Sequence, residues 1–174
     1  EEKFDIPLCL DSPNPKAIEA ALKVTKGKCL INSVNGEEKS LSALLPVAKE
    51  YGAAIIGLVM DDNGITNMPE KRLAIAEKIL DRAVSSGIKA ENVIIDPLAM
   101  AVSADPQACL VTLETIRLVH EKLGQNITIS AGLTCPIANP EKITPMVRAT
   151  DMVLGRDDFA MRYIEVVQSL TKTI

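Results

Sequence analysis

Aromatic side chains are almost missing from this 174-residue sequence, which has no Trp, two Tyr and two Phe. Nucleic-acid binding ordinarily combines stacking rings with a basic stripe. The formal net charge is -4 and Lys and Arg are scattered, so that class is excluded. The four cysteines, Cys9, Cys29, Cys109 and Cys135, form no C-x-x-C pair, which removes zinc ribbons and dithiol redox motifs and leaves reduced core residues as the reading. No apolar run approaches the roughly 18 residues of a membrane span, and Glu1-Glu2-Lys3 does not lead into a signal-peptide core. The expectation is a soluble, cytoplasmic protein. No glycine-rich phosphate loop follows any apolar run, which counts against a nucleotide-binding open sheet.

What is present is aliphatic. With 47% hydrophobic residues the chain can bury one sizeable core, so residues 1–174 are read as a single domain. Short apolar runs recur at Pro7 to Asp11, Lys28 to Asn32, Ala53 to Met60, Asn92 to Asp96 and Asn126 to Ser130. Between them Leu41, Leu44, Leu45 and Ala48 share a helical face, as do Leu73, Ala76, Leu80 and Ala83, and then Leu110, Leu113 and Ile116. Asn14-Pro15 and Asp105-Pro106 read as helix starts, and Gly27, Gly52, Gly87 and Gly124 as helix stops. Near-continuous apolar strands alternating with helices predict an α/β protein with a parallel sheet, and a (β/α)₈ TIM barrel in preference to an open doubly wound sheet.

The strand count is short of that barrel. A sixth run, Thr134 to Asn139, completes about six of eight βα units, against eight strands and about 250 residues for a full barrel. Only Ala131, Gly132, Leu133 and Thr134 separate Ser130 from Cys135, whereas a parallel crossover needs about a dozen residues. The expectation is a barrel domain with segments omitted before Glu1 and near Ala131-Gly132. An antiparallel hairpin over Asn126 to Asn139 is the alternative, with Ala-Gly-Leu-Thr a poor hairpin turn.

In a parallel barrel the chemistry sits where the strands end. Asp11, Asn32, Asp96 and Ser130 close their runs, and Met60 closes another before Asp61-Asp62-Asn63-Gly64. Two carboxylates and a carboxamide with no Lys, Arg or His at a strand end argue against Schiff-base chemistry and against a phosphate grip. They suit a neutral, flat heterocycle edged with N–H donors. Taken singly, Asp11 and Asp96 could be turn residues, Asn32 a strand-end partner for backbone groups and Met60 packing. His120 is read as a surface residue, Glu37-Glu38 as solvated charges at a helix start, and no metal site is assigned.

The segments Leu8-Cys9-Leu10-Asp11-Ser12, Lys16-Ala17-Ile18-Glu19-Ala20, Ile31-Asn32-Ser33, Gly52 to Leu58 and Ile95-Asp96-Pro97-Leu98, in this order and spacing, resemble the methyltetrahydrofolate:corrinoid methyltransferases of the pterin-binding family. That family includes the folate module of cobalamin-dependent methionine synthase and, more distantly, dihydropteroate synthase. The resemblance runs from Pro7 to about Ile164. It implies a (β/α)₈ barrel enzyme that moves the methyl group of N5-methyltetrahydrofolate to or from the cobalt of a corrinoid (cobalamin) carried by a partner protein, commonly as a homodimer. It implies further that Asp11, Asn32 and Asp96 hydrogen-bond the pterin, with Met60, Ser130 and Ile137 as weaker contacts and Ile137 an apolar pocket wall. The family's loop asparagine near N5 falls in the segment missing after Ser130-Ala131, so no catalytic residue is assigned. Competing readings are a dihydropteroate synthase-like pterin enzyme and a non-catalytic module that docks a corrinoid protein.

Overall fold

The aliphatic runs pair as strands and the stretches between them coil as helices. The computed structural model describes residues 6–99, 107–124 and 128–129, all within the first of the two units into which the chain divides, Glu1–Leu133. In order these are β1 (Cys9–Asp11), α1 (Pro15–Val24), β2 (Leu30–Asn35), α2 (Glu38–Glu50), β3 (Ala54–Leu58), α3 (Pro69–Ser85), β4 (Val93–Asp96), α4 (Ala108–Leu123) and β5 (Thr128–Ile129). A short 3₁₀ turn, Ala90–Asn92, leads into β4. The strands form one sheet in the order β1-β2-β3-β4-β5, every neighbouring pair parallel. Spatial order follows chain order, so the sheet has no switch point of the doubly wound kind. Right-handed crossovers then place successive helices on one face.

Burial alternates accordingly. Ile31, Ile55, Val93 and Ile95 are 0% exposed, while Leu30, Ile56 and Ile94, on the opposite face, are half-buried. The core therefore sits between sheet and helices, joined by Ile18, Leu41, Leu45, Ala48, Ile79 and Val119. Gly57 lets α3 approach closely, because a Cβ there would lie 2.8 Å from Ile79 Cγ2. Asn14 caps α1 as expected: its Oδ1 accepts the Lys16 N–H at 3.0 Å, and Pro15 occupies the first turn. Gly27, Gly52, Gly87 and Gly124 all take positive φ.

Two helix faces differ from the sequence expectation. On α4, Leu110 and Leu113 are 60% and 40% exposed, and the inward face is Ala108, Thr112, Thr115 and Val119. The threonine hydroxyls donate to Ala108 O at 3.0 Å and Val111 O at 2.7 Å, which satisfies them inside the helix and frees their methyls to pack. On α3 the inward face centres on Ile75 and Ile79 with Arg72, Ala76 and Ala83, and Leu73 and Leu80 lie at its edge. The α2 face is as predicted. Strand limits also shift, since β2 continues past Asn32 to Asn35 and β3 stops at Leu58, short of Met60. Cys29 is buried, but Cys9 and Cys109 are exposed and not core residues. The sixth run and the Asp105-Pro106 start lie outside the described residues.

Candidate active site

The register of the first two strands sets Asp11 beside Asn32. Asn32 Nδ2 donates to Asp11 Oδ2 at 3.2 Å. That bond uses one of the two amide hydrogens, so the pair offers the Asp11 carboxylate and the Asn32 oxygen as acceptors and one remaining N–H as a donor. Asn32 does not end its strand: an irregularity between Asn32 and Val34 breaks the β2–β3 register, and the strand resumes to Asn35. Asn35 then anchors the start of α2. Its Oδ1 accepts the Glu37 N–H at 3.0 Å, its Nδ2 donates to Glu37 Oε1 at 3.1 Å, and its own N–H donates to Ser40 Oγ at 3.1 Å.

Asp96 is the last residue of β4 and is 7% exposed. It pairs in register with Leu58, as Ile94 does with Ile56 and Ile56 with Asn32. Strand alternation therefore places Asp96 on the face that carries Asp11 and Asn32, two strand spacings from β2, about 10 Å across the sheet. The Leu98 N–H donates to Asp96 Oδ1 at 2.8 Å, from a residue with φ of 58°. The structure thus joins Asp11 to Asn32 directly and sets Asp96 on the same face, level with Asn35 and two residues further along than Asn32.

A cavity of about 430 Å³ adjoins the Asp11–Asn32 pair, with Pro13, Ser33, Lys39 and Ser40 in its lining. Asp96 is not part of that lining. None of the described strands ends in a cation, and Lys39, from the first turn of α2, lines the same cavity as the pair. Cys9 lies two residues before Asp11 on the same strand, and burial, then the Asp11 charge, pushes its thiol above the ordinary range, which disfavours a thiolate nucleophile. Met60 takes part through its backbone: its N–H donates to Leu58 O and its O accepts the Gly36 N–H, both at 2.8 Å. Asp61 is a turn residue whose Oδ1 accepts the Asn63 N–H at 2.9 Å. His120 is exposed on α4. Glu38 is more than a solvated charge, since Arg82 Nη1 donates to its Oε1 at 2.6 Å. Ser130 and Ile137 lie outside the described residues.

Sequence reasoning missed Arg72. It is 0% exposed in α3 and reaches the turn after β4, where its Nη1 donates to Pro97 O at 2.6 Å and to Leu98 O at 3.0 Å.

The acceptor set lies within residues 1–135, which match the family profile described as pterin binding enzyme. The chain belongs to that family. Over 192 aligned residues this pterin binding enzyme is 25% identical to a methylcorrinoid:tetrahydrofolate methyltransferase of Eubacterium limosum, an alignment covering 94% of this chain and 71% of that protein. It is 28% identical over 127 residues to a methionine synthase of Mycobacterium tuberculosis and 28% over 123 residues to one of Mycobacterium leprae. Each of those alignments covers 67% of this chain but only 11% and 10% of the two methionine synthases.

Proposed function

We propose that this pterin binding enzyme transfers a methyl group between N5-methyltetrahydrofolate and the cobalt of a corrinoid carried by a partner protein. The observation that carries the reading is the placement of Asp11, Asn32 and Asp96 on one face of a parallel sheet, at the end where such sheets hold ligands. Carboxylates and a carboxamide oxygen accept from the ring N–H and amino group of a pterin, and groups spread over four neighbouring strands, more than about 10 Å apart, leave room for a flat bicyclic ring between them. Lys39 beside the pair adds a cation for the anionic tail of a folate. The name of the Eubacterium limosum relative supports the same substrate pair.

The sheet is read as part of a (β/α)₈ barrel. Its sequential parallel order, with helices on one face and half-buried aliphatics on the other, supports closure by further strands.

In the transfer, cob(I)alamin supplies an electron pair to the methyl carbon, the carbon–cobalt bond forms as the N5–carbon bond breaks, and N5 keeps the bonding pair and takes a proton. An amine leaves readily only when N5 gains positive character, so the protein's work is to hold the ring in line and to favour that charge. Acceptors along one ring edge, contributed by Asp11, Asn32 and Asp96, do the holding.

The test is incubation of the full-length protein with N5-methyltetrahydrofolate and cob(I)alamin, followed by the visible spectrum of the corrinoid. Formation of methylcobalamin with release of tetrahydrofolate is expected. Folate binding without transfer would leave a non-catalytic binding module instead, and absence of both would remove the folate reading.

A further inference from the structure

We infer that Arg72 is a positioning residue for pterin recognition, setting the geometry of Asp96 through the backbone of Leu98. The inference rests on the reading of Asp96 as a pterin ligand.

Arg72 is the one charged residue among the largest fully buried side chains described, at 0% exposure. A guanidinium in that setting ordinarily needs a carboxylate. Here it has carbonyls. Nε donates to Thr66 O at 2.7 Å, and Nη1 donates to Pro97 O at 2.6 Å and Leu98 O at 3.0 Å. Nη2 is buried with no hydrogen-bond partner among the described residues. As a stabilising device this is poor, since the charge is desolvated, one donor is wasted, and burial lowers the guanidinium pKa.

What the arrangement does achieve is a fixed turn after β4. Leu98 holds φ of 58°, a conformation that a side chain with a Cβ disfavours. Its carbonyl accepts from Arg72 Nη1 at 3.0 Å, and Thr112 Oγ1, whose one proton is shared with Ala108 O, lies 3.2 Å from it. Its N–H, at the other end of the same residue, donates to Asp96 Oδ1 at 2.8 Å. Loss of the grip lets Leu98 relax to a negative φ, which swings that N–H away and removes one of the contacts that orient the Asp96 carboxylate. The fork geometry matters, because Nε and Nη1 reach the Thr66 loop and the Pro97-Leu98 turn at once. Lys offers a charge but no planar fork.

The test is a double-mutant cycle read by calorimetric titration with N5-methyltetrahydrofolate, on the full-length wild type, Arg72→Met, Asp96→Asn and the double variant, each checked by circular dichroism melting. Arg72→Met is expected to weaken binding about tenfold in the wild-type background, the worth of one hydrogen bond to a charged group. In the Asp96→Asn background the loss should shrink to less than about twofold. Arg72→Lys should recover only part of the affinity. Equal losses in the two backgrounds would overturn the inference and assign Arg72 to stability alone. If Arg72→Met fails to fold, Thr112→Val, which removes the hydroxyl beside the Leu98 carbonyl, runs the same cycle with the same two outcomes. Wild-type affinity in the Asp96→Asn single variant would overturn the pterin reading of Asp96, and this inference with it.

Discussion

Replacement of Asp96 by Asn tests the site with the least disturbance to the fold. The carboxylate is 7% exposed, and its Oδ1 accepts the Leu98 N–H at 2.8 Å. An asparagine keeps that acceptor and nearly the same shape, so the turn after β4 stays closed. The second oxygen, however, becomes an NH₂ group. Against a pterin edge that presents an amino group and a ring N–H, a donor then faces a donor. The loss is one hydrogen bond to a charged acceptor, about 1.5–3 kcal/mol. At about 1.4 kcal/mol per tenfold, the dissociation constant should rise about ten- to hundredfold. Calorimetric titration with N5-methyltetrahydrofolate gives the affinity, and a thermal melt of the same samples shows whether the fold survived. A dissociation constant within about twofold of wild type, on a protein that melts normally, would refute the assignment of Asp96.

Further substitutions probe the frame around the site. Gly57→Ala forces a Cβ to within 2.8 Å of Ile79 Cγ2, and overpacking of this kind costs about 1–3 kcal/mol in a urea titration; Ile79→Leu, which moves the branch away, should recover part of it, and an unchanged midpoint for Gly57→Ala would contradict the close approach. Glu38 has its carboxyl held below the usual carboxylate range by hydrogen bonds from Arg82 and then Ser42, so its contribution is present at neutral pH and lost as pH falls through the folded-state value. Glu38→Gln should therefore lower the Tm at neutral pH and converge on wild type in acid, whereas a constant offset across the range would point to some other cause. Ile55→Ala, at a position 0% exposed, should cost about 2–5 kcal/mol. Ile56→Ala should cost a similar amount if the opposite face lines a closed barrel, and a small fraction of it if that face is open.

The strands, and the sheet face that Asp11, Asn32 and Asp96 share, were legible from one pattern. In a parallel sheet whose order follows the chain, each strand ends on the same side, so Asp11, Asn32 and Asp96 converge without any helix needing to be placed correctly. The helix faces were harder to read. Leu110 and Leu113 outrank Thr112 and Thr115 in hydropathy, yet the threonines bury because their hydroxyls bond within the helix. Arg72 beside Lys71 reads as solvated charge, although its spacing to Ile75, Ile79 and Ala83 puts it on the buried face of α3. Lys39 was missed because it reaches the site from a helix start, and the true end of β2 was hidden by the irregularity after Asn32.

The period of two along a strand divides labour between the two sides of the sheet. Ile95 and Asp96 are chain neighbours and both are buried, at 0% and 7% exposure, but alternation turns Ile95 into the helix layer and Asp96 toward the opposite face. Ile31 and Asn32 divide in the same way, with Ile31 at 0% exposure and Asn32 bonded to Asp11. Substitutions of Ile31, Ile55 or Ile95 should therefore change stability while sparing ligand affinity, and those of Asn32 or Asp96 should change ligand affinity. Arg72 breaks the division, because it sits in the helix layer, yet its hydrogen bonds end on the turn that orients Asp96. A residue of that kind is recognised by where its donors go and not by how deeply it is buried.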